Sequence, residues 1–392
     1  MELARPAGED LVVYEPVLGQ WFVFGYDEVG STLADGRLTA DRMHGFEDRA
    51  PPDAVDAVRR HAPWVISTDE EGDYAWIRWI LHAGLRGAMG EASEQAIASA
   101  ARALLDDLVE RDNVDVAAEY AFPLAGFVLA DFLGVDRSDG ERLVAWALDL
   151  VAFFNDLEIT AEAADRMARS AAEMVAYAHA LIGERGGALR GGFLDLVAKA
   201  AAEHGRELDD ETVGNVTLPF LTGQVGVAHL TTNTIWLLLG HDEQRARVAA
   251  DASLVAGAIA ETLRYAPPVM LIPRIALEPV PVGGHVVQAG DVVQLSVGAA
   301  NRDPARFPDP DRFDVTRPQG GALGFGHGAH SCIGAGLSRM QTPIAVGALL
   351  ERAADLELDP DDEPVWSAVP GVRGIEGLSL RRPAARAARR PR

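Results

Sequence analysis

Phe325-Gly326-His327-Gly328-Ala329-His330-Ser331-Cys332-Ile333-Gly334 holds the only cysteine in 392 residues. Its three glycines, at 326, 328 and 334, let a backbone fold tightly and approach a flat ligand. The segment that follows, to about Arg352, carries Leu337, Met340, Ile344 and Leu349 at helical spacing, so Cys332 lies at a helix start. Unpaired N–H groups at such a start favour a negative sulfur and lower its pKa. A lone cysteine is more often inert core. Here a phenylalanine, three glycines and a histidine crowd around it, which would make poor core, and a loop presenting one thiolate to a metal is the better reading.

A second feature lies upstream. Glu261-Thr262-Leu263-Arg264 sets an acid and a base at i, i+3 on a helix running from about Leu254 to Tyr265, stopped by Pro267-Pro268. Such pairs are common on helix surfaces and mean little alone. What raises this one is its order in the chain, with Asn301-Arg302-Asp303-Pro304 and Pro310-Asp311-Arg312-Phe313 between it and the cysteine loop. Taken together, these segments resemble the cytochrome P450 family, and the loop does so at Phe325, Gly326, Gly328, His330, Cys332 and Gly334.

The resemblance implies a mainly α fold, a large helical domain with small β-sheets. It implies haem b as cofactor, with Cys332 as the axial metal ligand and Phe325, His330 and Gly334 in the haem-binding loop. A thiolate at that position supports oxygen activation. The haem propionates need cationic or hydrogen-bonding partners, and by resemblance these are Arg78, Arg274 and His330. Tyr74 stands where the family usually has a histidine, four residues before Arg78. Glu261, Arg264 and Arg312 are expected to form a buried network that supports the loop. No Gly-x-Gly-x-x-Gly follows a strand, so electrons should come from separate partners, a ferredoxin and a ferredoxin reductase.

The long central helix departs from the family pattern, which places an acid and an alcohol side by side to relay protons. Counting back from His241-Asp242-Glu243-Gln244, that window falls on Thr222-Gly223-Gln224-Val225-Gly226. The acid position is Val225 and the alcohol position is Gly226, and neither side chain can carry a proton. Thr222, Gln224 and His229 are the nearby groups that could stand in. The candidate catalytic window is therefore Thr222, Gln224, Val225 and Gly226. Two readings of the chemistry follow: hydroxylation with a borrowed proton, or oxidative coupling and cyclisation. Two alternatives are a peroxide-driven enzyme, disfavoured because no arginine lies at 220–230, and a non-catalytic haem-binding auxiliary protein, disfavoured because the cysteine is intact.

By the same resemblance, substrate contacts map to Met43–Trp64, Phe153-Phe154-Asn155, Phe220–Val227, Val269–Ile272 and Ala368–Val372. Most of these are apolar, which suits a hydrophobic or aromatic small molecule of secondary metabolism.

Composition bounds the rest. Neither a linker nor a repeat divides the chain, so one domain over residues 1–380 is expected, followed by an Arg-rich, disordered tail at 381–392. The formal charge is −24, and because that tail carries six arginines and no acid, the remainder holds −30. A body so acidic argues against nucleic-acid binding. There is no run of 18 apolar residues and no secretory start, so a cytoplasmic protein without a membrane span is expected. Periodicity gives an early hairpin around Pro16 and Gly19, a helix from Tyr26, a long loop over 43–65, and near-continuous helix from about 73 to 264.

Overall fold

The computed structural model describes residues 10–62, 70–184 and 192–383. The expected hairpin is present as β1 (Val12–Glu15) and β2 (Gln20–Val23), antiparallel with Tyr14 opposite Trp21. Helix α1 (Tyr26–Ala34) follows, then β3 (Leu38–Thr39). Three of these strands join two later ones, β5 (Leu271–Ala276) and β8 (Val292–Ser296), in a sheet of order β1-β2-β8-β5-β3. The β2–β8 pairing is parallel and the others are antiparallel. Between the later strands lies a small hairpin, β6 (Val280–Val282) with β7 (His285–Val287), turned at Gly283-Gly284. Val12, Val23, Val29, Leu33, Val293 and Leu295 bury one face of this sheet against α1.

The expected loop over 43–65 is a correction. It contains α2 (Phe46–Arg49) and α3 (Pro52–His61). Pro52 occupies the first turn, where its missing N–H costs nothing, and Ala54, Val55, Ala57 and Val58 make the buried stripe. Residues 63–65 of that stretch lie outside the described residues.

The helical body follows the periodicity closely: α4 (Glu70–Ala88), α5 (Glu91–Leu108), α6 (Phe122–Leu133), α7 (Gly140–Asn155), α8 (Ala161–Glu184), α9 (Phe193–Glu203) and α10 (Asp210–Gly240). One stretch departs from the near-continuous helix expected from about 73 to 264, at the lead-in to α6. It opens as β4 (Asn113–Asp115) and one π-helical turn, because the Asp115 carboxylate accepts from the N–H groups of Ala117, Ala118 and Leu378 and ties this segment to the end of the chain. Past α10 come α11 (Asp242–Ala250), α12 (Val255–Tyr265), the single turn α13 (Val297–Ala300) and α14 (Ala335–Arg352). The remaining strands are β9 (Glu357–Leu358), β10 (Val365–Trp366), β11 (Ile375–Gly377) and β12 (Ser379–Arg381).

The boundary expected at residue 380 moves. Arg381 pairs with Asn113 and Glu357 in the β4-β12-β9 sheet, and Arg382 reaches the Asp355 carboxylate and the carbonyls of Val109 and Arg111. Residues 384–392 of the expected tail lie outside the described residues. No described helix is long and apolar enough to cross a membrane.

Candidate active site

The cysteine loop is closed by its own backbone. Cys332 N–H donates to the Phe325 carbonyl at 2.8 Å, and Gly326 N–H to Leu323 at 2.8 Å. Two of the three glycines are required: Gly326 and Gly328 sit at φ +69° and +76°, and a side chain on Gly328 would meet the α1 backbone at Ala34, 3.1 Å away. Gly334 has an ordinary φ of −82° and caps α14. The N–H groups of Gly334 and Ala335 donate toward the Cys332 sulfur, and Arg339 and Arg78 add positive field. Burial is nonetheless the larger influence and pushes the thiol up, not down as the helix start alone suggested. Cys332 still has exposed surface. A side chain that is both accessible and crowded lines a cleft.

The support behind the loop is the expected network with one exchange of residue. Arg264 forks onto Glu261 (Nε–Oε2 2.9 Å, Nη2–Oε1 2.8 Å), and both are buried. The second arginine on Glu261 is Arg317, at 3.1 Å, and not Arg312. Arg312 offers only its backbone carbonyl, to Arg264 and Arg317, while its side chain stands exposed beside Asp314. The turn around Asp309, at φ +47°, points its carbonyls inward at the two guanidinium groups and its arginine outward. Asn301 then links α12 to the loop, donating to Leu263 O at 3.2 Å and accepting from Leu323 N–H at 2.7 Å.

Helix α4 meets the loop from the side. Arg78 donates to the Ser331 carbonyl at 3.1 Å and to its hydroxyl at 3.3 Å. Tyr74 donates to Ala329 O at 3.1 Å, and its ring lies 4.4 Å from that of His330. Arg274 is buried on β5. Ile272, two residues before it, faces Gly326. Phe325 receives the Arg339 guanidinium over its ring at 4.8 Å.

On α10 the window divides by face. Gly223 and Gly226 face open space, since a Cβ added to either would find no atom within 4 Å. Thr222 is half-buried on the same side, its hydroxyl donating back to Leu218 O at 2.8 Å. Gln224 and Val225 are enclosed in packed protein. His229 also turns away: it packs edge-on against Phe122 and against Gly374, with the Glu376 carboxylate 4.0 Å off. The helix thus presents an opening with no acid and no free hydroxyl.

Comparison with known proteins accords with this geometry. The Cytochrome P450 family signature matches residues 238–369. The chain is 34% identical over 376 residues to cytochrome P450 107B1 of Saccharopolyspora erythraea, covering 93% of this chain and 89% of that protein. It is 33% identical to the monooxygenase PikC of Streptomyces venezuelae, covering 92% and 85%. Among solved structures, HmtT, involved in himastatin biosynthesis, superposes with a TM-score of 0.82 at 30% identity over 96% of this chain and 95% of that one. The chain is a cytochrome P450.

As a cytochrome P450 it is an oxidoreductase of the monooxygenase type, and its haem iron is held by a cysteine thiolate. The residues present fit that group. The sulfur is accessible and supported by two N–H donors, a glycine-lined opening lies on α10, and Arg78, His330 and buried Arg274 offer cationic or polar ends for propionates. Tyr74 holds the loop through Ala329 where a histidine would have added charge.

Three of the expected substrate stretches converge. Gly371 N–H donates to Asn155 O at 3.3 Å, Met270 N–H to Gly371 O at 2.9 Å, and Val269 bridges Val372. Phe220 does not join them, for it stacks on Phe193 at 4.6 Å inside the helical core. Trp64 lies outside the described residues. One residue escaped the sequence reading altogether. Arg42, just before the first expected stretch, reaches the carbonyl of Phe154 from the opposite wall.

Proposed function

We propose that this cytochrome P450 oxidises a hydrophobic or aromatic small molecule in secondary-metabolite biosynthesis, in the cytoplasm, with electrons supplied by a ferredoxin and its reductase. The observation that carries the reading is the opening on α10 at Gly223 and Gly226, with no acid–alcohol relay beside it. Bound haem supplies oxygen activation; the chain's own part is to hold the thiolate, admit the substrate and leave proton delivery to water or to a substrate hydroxyl at that opening. Thr222 cannot readily take the relay over, because its proton is committed to Leu218 O. PikC is named a monooxygenase, CymV of Salinispora arenicola is a cyclomarin C epoxidase and HmtT belongs to himastatin biosynthesis; these names support a tailoring role on natural products.

The test is a titration of ferric holoenzyme with aromatic peptides, cyclic dipeptides, polyketides, terpenes and fatty acids, followed by turnover of whatever shifts the main haem band. A product heavier by one oxygen means insertion, and one lighter by two hydrogens means coupling or ring closure. The variant Gly226→Thr restores the family's alcohol where there is room for it. It is expected to leave turnover unchanged or lower it, and a clear gain in turnover would show that the missing hydroxyl is a defect and not part of the mechanism.

A further inference from the structure

A pocket opens between the turn after β3, the end of α7 with the loop that follows, and strands β5 and β8. The space between its walls comes to about 610 Å³ when the open solvent at its mouth is counted with it. Much of its lining is apolar, with Met43, Phe46, Phe153, Phe154, Leu157 and Ile159. Its charged residues are Arg42, Arg49 and Arg274 against Asp41 and Asp156, a net positive charge in a chain of −24. That inversion of sign is local and needs a cause.

The arginines differ in their employment. Arg49 donates to the carbonyls of Arg42 and His44 at 3.1 and 2.7 Å and so braces the turn. Arg274 donates to Pro273 O at 2.9 Å and belongs with the haem-binding set. Arg42 makes one hydrogen bond, to Phe154 O, and its guanidinium stands 6.0 Å over the Phe154 ring. Among the described residues no carboxylate lies within ion-pair distance of it. Burial, and then the like charge of Arg274, bring its pKa down to about 10. Asp41 does not relieve this, since its carboxylate accepts from Met43 N–H at 2.8 Å and its field falls on Arg49. Arg42 is half-buried and faces the pocket without an anion, and a fork with most of its donors unspent suits one chemical group above others, a carboxylate.

We propose that Arg42 anchors the carboxylate of an apolar-bodied substrate, whose hydrocarbon or aromatic part lies along Phe46, Phe153 and Phe154. This rests on the reading of the chain as an oxidase of lipophilic small molecules, and it narrows that reading to acids. The anchor also offers a way to fix orientation that the α10 opening, lined by glycine, does not provide.

Holoenzyme is titrated by calorimetry and by the haem absorption band with two matched pairs, dodecanoate against dodecanamide and phenylbutyrate against phenylbutyramide. Wild type is expected to bind the acid of at least one pair about tenfold more tightly than its amide, the size of one charge-assisted fork. Arg42→Gln should erase that preference by weakening the acid alone, and Arg42→Lys should restore part of it. Equal binding of acid and amide by wild type overturns the proposal, as does a preference that survives Arg42→Gln. Should neither acid bind, the anchor is wrong, while oxidation of neutral compounds would leave the broader function standing. Transfer of haem to a scavenging apoprotein is timed for both proteins without ligand. Faster loss from Arg42→Gln would assign this arginine to the haem, and an unchanged rate keeps it with the substrate.

Discussion

His229 shows what one buried side chain does to the whole stability curve. It sits on α10 with its Nε2 unpartnered, Phe122 edge-on at 5.4 Å, and Gly374 so close that an added Cβ would fall 2.2 Å from the ring. Glu376 is 4.0 Å away but partly solvated, and burial dominates, lowering the pKa to about 4. The folded value lies below the unfolded value of about 6.5, so the fold favours the neutral ring. Its contribution is complete above pH 6.5 and is lost as pH falls toward 4, at about 1.4 kcal/mol per unit and about 3 kcal/mol in all. Denaturant midpoints of wild type should therefore fall between pH 7.5 and 4.5 more steeply than those of His229→Gln, and parallel curves would mean that the ring is solvated. The sequence marked His229 as a possible proton carrier, but only packing shows which way it faces. Cys332 was legible because its chemistry demands fixed residue types at fixed spacings. Arg42 was not, because what distinguishes it is that no carboxylate among the described residues comes within ion-pair distance of its guanidinium, and only three dimensions show that.

At the scale of elements, hydrophobic period carried the reading and turn geometry limited it. Helices α4 to α10 and α12 follow stripes of apolar residues, whereas α3 was hidden behind Pro51-Pro52, which reads as a break until Pro52 is placed in a first turn. The Glu261 network makes the same point. Its helical half, Glu261 and Arg264, was legible through the family resemblance, since i, i+3 spacing alone means little. The loop half depends on how the turn at Asp309 aims its groups, and it selects Arg317 over Arg312. Arg317 also donates to the carbonyls of Pro308, Asp309 and Arg312, so its removal strips the turn of several partners at once. Arg317→Ala should cost about 2–4 kcal/mol, because Glu261 loses one of its two arginines and keeps Arg264 and the Asp314 N–H. Arg312→Ala should cost less than about 0.5 kcal/mol, as an exposed side chain with a carboxylate 3.9 Å away loses little. Urea unfolding of both variants separates the assignments, and equal losses would return Arg312 to the network.

The molecule as a whole carries −24, and that excess acts on its stability through distance. Its surface has many contact pairs, among them Arg37–Asp35 at 2.6 Å, Arg137–Asp131 at 2.7 Å and Arg59–Glu47 at 2.8 Å. Each is exposed and worth no more than about 1 kcal/mol. The unpaired acids repel one another over much longer separations. Salt treats the two unequally: the screening length shrinks from roughly 30 Å at 0.01 M to about 3 Å at 1 M, so repulsion across the surface disappears while pairs in contact retain part of their attraction. Holoenzyme should therefore gain thermal stability with sodium chloride, the midpoint rising on the order of 2–5 °C between 0.01 and 0.5 M, equivalent to a few kcal/mol in a chain of this size. Far-ultraviolet dichroism and the haem band should move together if fold and cofactor are lost as one unit. A midpoint that falls with salt would mean that the contact pairs outweigh the repulsion, and the acidic excess would then have to be spread more evenly through ion-pair networks than isolated pairs of this kind imply.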